Sequence, residues 1–147
     1  VALMNLIIAA YCFQGTFTDH QVVLITSTTG RWIIPKGQPE NQLRKRDVAL
    51  SEAWEEAGVE GSVNPLCLGR YGYQKCLSDS AQVPCAVAVY GLKVERMAEK
   101  YPEARERTRR WFRPEDAAGL VAEADLARLI AGFVPPAAGR QAPIAGE

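Results

Sequence analysis

Among its 147 residues this chain has a single histidine, His20, and no two of its cysteines form a C-x-x-C pair. That scarcity argues against zinc held by cysteine and histidine. The cysteines, Cys12, Cys67, Cys76 and Cys85, do not imply a disulfide framework either, because a domain of this size can hold itself together by its core. They read as buried, reduced thiols in a cytoplasmic protein. Net charge is also lacking: seventeen Lys and Arg balance seventeen Asp and Glu. No global field draws nucleic acid or a membrane surface, so any charge-based function must be local. Long apolar runs are missing too. Leu6 to Ala10 falls far below the roughly 20 residues that span a bilayer. It has no basic flank and does not read as a signal peptide. No internal repeat is present.

What remains is a globular composition, 48% apolar and 23% charged, long enough for one packed domain. Apolar, branched runs predict strands over 4–12, 21–27 and 31–34, and further strands over 66–75, 84–94 and 108–112. Residues 36–46 hold Gly37, Pro39 and Asn41 without an apolar period and read as a loop. A helix is predicted over 47–57, where Ala49, Leu50, Ala53, Trp54 and Ala57 recur at helical spacing. Asp47 supplies an acceptor near its start and Gly58 a natural stop. A short helix over 114–119 and a terminal helix over 123–133 follow. The order implies an α/β fold, a sheet covered by helices on its faces. Residues 1–134 form the domain, and 135–147, rich in Pro, Ala and Gly, form a mobile tail.

The charges that balance overall are segregated locally. Residues 31–46 carry Arg31, Lys36, Arg44, Lys45 and Arg46 against the single acid Glu40. Residues 47–60 carry Asp47, Glu52, Glu55, Glu56 and Glu60 and no base. Glu52, Glu55 and Glu56 stand at i, i+3 and i+4, on one helix face, where like charges repel by about 0.2–0.5 kcal/mol per pair. Two of them sit near the helix C-terminus, where the macrodipole disfavours anions. No base within a turn relieves them. A hard divalent cation, Mg²⁺ or Mn²⁺, would. A solvated acidic face is the plainer alternative.

Residues 37–59 resemble the signature of the Nudix hydrolases, G-x(5)-E-x(7)-R-E-U-x-E-E-x-G-U, with U a bulky aliphatic. Gly37, Glu52, Glu55, Glu56, Gly58 and Val59 match at the expected spacing. The flanks agree: Trp32-Ile33-Ile34-Pro35-Lys36 ahead of the box, and Arg110-Trp111-Phe112 with Pro114-Glu115-Asp116-Ala117 behind it. Both are similar to bacterial proteins related to diphosphoinositol polyphosphate phosphohydrolases. Two positions depart: Leu43 stands where the pattern has glutamate, and Ser51 where it has arginine. In the family that charged pair is thought to brace the loop and helix, so their joint loss bears on rigidity more than on metal binding.

The resemblance implies a Nudix fold, an α/β/α sandwich with a mixed central sheet. It also implies Mg²⁺-dependent hydrolysis of a diphosphate linkage, with Mn²⁺ as a possible substitute. Glu52, Glu55 and Glu56 would be catalytic and, with the carbonyl of Gly37, hold the metal. Water, deprotonated with help from a carboxylate, would attack one phosphorus and expel the other phosphate group. A base on a later loop is an alternative, with Glu95, Glu99 and Glu103 as candidates. Arg31, Lys36, Arg44, Lys45 and Arg46, extended by Arg70 and Lys75, would bind a polyanionic substrate. Expected substrates are nucleoside diphosphate derivatives, dinucleoside polyphosphates or diphosphoinositol phosphates, with neither nucleic acid nor membrane as partner. Monomer and homodimer both remain open. The competing expectation is a Nudix-fold module that binds nucleotide or phosphate ligands without turnover. Arg105, Arg107, Arg109 and Arg110 interleave with Glu103 and Glu106 and read as surface ion pairs. Trp32, Trp54 and Trp111 read as core. Tyr71 and Tyr73 fit strand alternation or contact with a nucleobase, and His20 falls in a turn without a role.

Overall fold

The computed structural model describes residues 5–77 and 81–136. Its central strand is β1 (Asn5–Gly15), flanked by β2 (His20–Thr26) on one side and β6 (Gln82–Met97) on the other. A strand with neighbours on both edges and layers on both faces has no solvent side, which is why residues 6–13 are apolar almost without interruption. Alternation still sorts them. Ile7, Ala9, Tyr11 and Phe13 enter one core cluster, Ile8, Ala10 and Cys12 the other.

The seven-stranded sheet follows the order β3-β2-β1-β6-β5, with β3 at Trp32–Ile33 and β5 at Val59–Cys76. The pair β1 and β6 is parallel, while β5 and β6 form a long antiparallel hairpin, so the sheet is mixed. Two short pieces lie off this path: β4 (Lys36–Gly37) pairs with β1, and β7 (Arg109–Phe112) pairs with β2. Helix α1 (Lys45–Ala57) covers one face through Val48, Ala49, Ala53 and Ala57. Small alanines let its backbone approach the sheet closely. Helices α2 (Pro114–Leu120) and α3 (Ala124–Gly132) cover the other face with Ala117, Leu126 and Ile130. The expected α/β/α sandwich with a mixed sheet is what forms.

Several local expectations are corrected. The stretch 36–46 is not all loop: Lys36–Gly37 docks on Ile8 and Ala9, and α1 begins at Lys45. Asp47 does not cap α1. It takes the Nε–H of Arg44 at 3.1 Å, and the N-cap position, Arg44, makes no side-chain cap. Strand β5 begins at Val59, because β6 continues past Val94 and pairs with it through bulges near Gly61 and between Val63 and Gly69. His20 opens β2 rather than sitting in a turn. Only Cys12 and Cys85 are buried, while Cys67 and Cys76 are exposed free thiols. Residues 137–147, and with them nearly all of the expected tail, lie outside the described residues. No helix among the described residues is long and apolar enough to cross a membrane.

Candidate active site

The acids of α1 face the short strand β4. Gly37 is a glycine for a steric reason: a Cβ there would land on the Glu52 carboxylate, so only a bare backbone lets the two meet. One residue earlier, the Lys36 N–H donates to Oε1 of Glu56 at 3.3 Å. The backbone of β4 thus holds Glu56 by a hydrogen bond and lies close against the Glu52 carboxylate.

Glu56 is 7% exposed, the single buried charged residue among those described. Burial raises its carboxyl, against the pull of the Arg107 guanidinium and of the Lys36 N–H. The Glu52 carboxyl is pushed up to about 8, first by burial, then by the charges of Glu56 and Glu55 and by a hydrogen bond with Glu56. Two carboxylates this close in a shielded setting hold a proton between them more readily than two charges. Burial pulls the Lys36 ammonium down, while Glu56 and Glu123 support its charge.

The sequence shows no base within a turn of these acids; the fold brings two from fifty residues away. Arg107 donates from Nε to Glu103 at 2.8 Å and from Nη1 to the Thr26 carbonyl at 2.9 Å, with Nη2 at 3.9 Å from Glu56. Arg109 donates to the Ala57 carbonyl at 2.7 Å, capping the negative end of α1, and lies over the Tyr101 ring. These arginines are therefore not surface ion pairs, as their alternation with acids suggests; the Arg107 side chain is only 15% exposed. Gly58, at φ +64°, ends the helix where a side chain would strike Tyr101 and Arg109. Of the later acids, Glu103 joins the cluster: its N–H donates to the Glu55 carbonyl at 3.0 Å, and its charge bears on Glu52 and Glu56. Glu95 instead accepts from Ser62 at 2.9 Å.

The expected cationic patch divides. Lys36 stands by the acids, whereas Arg31 lines a cavity of about 700 Å³ together with Ser27, Thr29, Tyr73, Gln82 and Glu123 among others. The Lys36 ammonium lies 4.9 Å over the Tyr73 ring and so links cavity to acids. Arg44, Lys45 and Arg46 instead surround a separate cavity of about 430 Å³ with Leu43, Pro65 and Tyr90. Lys45 precedes Glu52 by two helical turns, about 10 Å along the axis. Arg70 lies opposite Ala88 and bears on Tyr90, on the side of this smaller cavity. Lys75 lies opposite Val83 between Gln74 and Cys76, which line the larger one. Tyr71 is core, and Tyr73 is the aromatic that reaches the cavity.

Among the described residues no three His, Cys, Asp or Glu side chains converge as a ready-made metal cage. The donor set still suits a hard cation. Carboxylate oxygens crowd one another, carry raised pKa values, and meet a backbone stripped of its Cβ at Gly37.

No family model matches the chain. Curated relatives do. Nudix hydrolase 16, mitochondrial, of Arabidopsis thaliana is 37% identical over 101 residues, 66% of this chain and 56% of that protein. Diphosphoinositol polyphosphate phosphohydrolase 3-alpha of Homo sapiens is 32% identical over 113 residues, 74% of this chain and 64% of that protein. Among solved structures, the E. coli dihydroneopterin triphosphate pyrophosphohydrolase aligns at TM-score 0.68 and 13% identity, over 90% of this chain and 98% of that one. By fold and by sequence the chain belongs to the Nudix hydrolase family. It spans between about half and two thirds of the length of these curated relatives.

Proposed function

We propose that this protein hydrolyses a diphosphate linkage in a small molecule, with Glu52, Glu55 and Glu56 as its acids and a divalent cation, Mg²⁺ or Mn²⁺, as cofactor. The observation that carries the proposal is the joint of β4 with α1. Gly37 admits the Glu52 carboxylate, and Lys36 holds Glu56 by its backbone while its ammonium lies over the ring of Tyr73, a wall of the large cavity. Glu52, Glu56 and the Gly37 carbonyl would hold the cation, with Glu55 beside them. When bound, such a cation neutralises charge developing on phosphate oxygens and lowers the pKa of water.

The residues of the chain supply the rest. Lys36 and Arg31 orient the diphosphate by charge-assisted hydrogen bonds. Glu52 or Glu103 accepts the proton of the attacking water, each lying where its charge meets the other acids. Arg107 holds Glu103 and keeps it from swinging into solvent. The substrate is a nucleoside diphosphate derivative, a dinucleoside polyphosphate or a diphosphoinositol compound. Neither nucleic acid nor membrane is a partner on this reading. The two exposed free thiols support a reducing compartment, which we take to be the cytoplasm.

A panel of these compounds with Mg²⁺ or Mn²⁺, scored by phosphate-containing products, tests the proposal. At least one should be cleaved, and Glu56→Gln should slow cleavage tenfold or more, about 1.4 kcal/mol of barrier. Tight binding without product across the panel would favour a binding module instead.

A further inference from the structure

The large cavity has a charge pattern that a multiply phosphorylated ligand does not fit. Its polar lining includes the hydroxyls of Ser27, Thr28 and Thr29, the phenol of Tyr73 and the amides of Gln74 and Gln82, with one cation, Arg31, and one acid, Glu123. Glu123 is the residue just before α3, yet its side chain makes no cap there. No ion pair to it forms among the described residues either: Arg128 is held by Asp125 at 2.7 Å and Arg113 stands at 4.0 Å from Glu115. The half-buried Glu123 carboxylate is thus spent on neither task, and it lies close enough to bear on Lys36 and Tyr73. The other concentrated cations, Arg44, Lys45 and Arg46, surround a different cavity.

We propose that Glu123 is a specificity-determining residue, which admits diphosphates carrying an uncharged nucleoside or sugar and rejects rings bearing several phosphates, so that of the substrate classes proposed above it selects against the diphosphoinositol compounds. The proposal rests on reading this cavity as the substrate site of the hydrolase above. Arg31 on the wall and Lys36, behind the Tyr73 ring, are the two cations available to a diphosphate. A further phosphate brought beside Glu123 meets a like charge. A ribose or sugar hydroxyl there donates to the carboxylate instead, the Gln74 and Gln82 amides supply further partners, and Tyr73 offers a ring face.

Calorimetric binding of ADP-ribose, and its displacement by inositol hexakisphosphate, tests this without turnover. Scoring by displacement leaves out polyanion bound at Arg44 to Arg46. Wild type should bind ADP-ribose at least tenfold more tightly than inositol hexakisphosphate. Glu123→Lys should shrink that ratio tenfold or more, and Glu123→Gln should shrink it less, both with unchanged melting temperature. Should Glu123→Lys fail to fold, Glu123→Gln alone carries the comparison. Equal or better displacement by inositol hexakisphosphate from wild type would overturn the proposal. So would a ratio indifferent to residue 123, or no binding of ADP-ribose. Product release from any diphosphate in the panel would leave the hydrolase reading standing in each of those cases. The expected ratio without any turnover would uphold the role of Glu123 in binding and remove the hydrolase.

Discussion

The two ends of α1 carry opposite charges and solve opposite problems. At its start, Arg44, Lys45 and Arg46 lie around an open cavity, where water screens them and a helix N-terminus gives them no help. At its end, Glu52 and Glu56 are withdrawn from water against β4, and Arg107 and Arg109 arrive from the approach to β7 and from its first residue to answer the charge. Local sequence treats both as charge runs. The fold leaves one to solvent and withdraws the other from it beside Arg107 and Arg109. Charge that is shielded and answered from a distance is where chemistry can be tuned; charge left in water is not.

The largest break in this comparison should come from Arg107→Met, which strands Glu103 and Glu56 and leaves the Thr26 carbonyl without its donor. Removing one partner of a buried pair costs about 3 kcal/mol or more, read by denaturant unfolding. Single alanines at Arg44, Lys45 or Arg46 should each cost about 0.5 kcal/mol or less. Equal losses at the two ends would erase the distinction.

The acidic end should also respond to pH without metal. The Glu52 carboxyl sits at about 8 in the fold, above its ordinary 4.5. Between those values the folded chain keeps a proton that the unfolded chain has lost, so stability should fall as pH rises from about 4.5 towards about 8. Glu52→Gln should flatten that decline. A profile rising over the same range would place the shift elsewhere.

Arg109→Ala, which uncaps Ala57 and uncovers Tyr101, should cost about 1.5 kcal/mol by thermal melting. The smallest effect belongs to the two positions where the box departs from its pattern. Leu43 is 45% exposed, so Leu43→Glu alone should be almost neutral. Combined with Ser51→Arg it should show a favourable coupling of about 0.5 kcal/mol in a double-mutant cycle. Strict additivity would mean that side chains at 43 and 51 do not meet.

The sequence makes one end of α1 easy to read and the other deceptive. Ala49, Ala53 and Ala57 mark the buried stripe, Gly58 the stop, and the uninterrupted apolar run of β1 its central place. Glu52, Glu55 and Glu56 stand out because nothing nearby neutralises them. What neutralises them is invisible locally: Arg107 and Arg109 alternate with acids as a solvated segment does, and only the pairing of β7 with β2 turns them towards α1. Likewise Glu60 and Gly61 look like loop, and become strand because β6 is long enough to pair with them, while Asn64 and Pro65 fall in the irregularity between Val63 and Cys67. Arg44, Lys45 and Arg46 look like neighbours of the acids, yet two helical turns put them at another cavity. Glu123 carries no local signal; its place in the large cavity comes from the packing of α3.

Calorimetric titration with Mg²⁺ and Mn²⁺ decides whether the acidic end of α1, and not its basic end, binds the divalent cation. Three proteins suffice: wild type, the Glu52→Gln/Glu55→Gln/Glu56→Gln variant, and the Arg44→Ala/Lys45→Ala/Arg46→Ala variant. Binding should be present in the first and third and lost in the second. Identical titrations for wild type and the glutamine variant would rule out cation binding at the acidic end of α1.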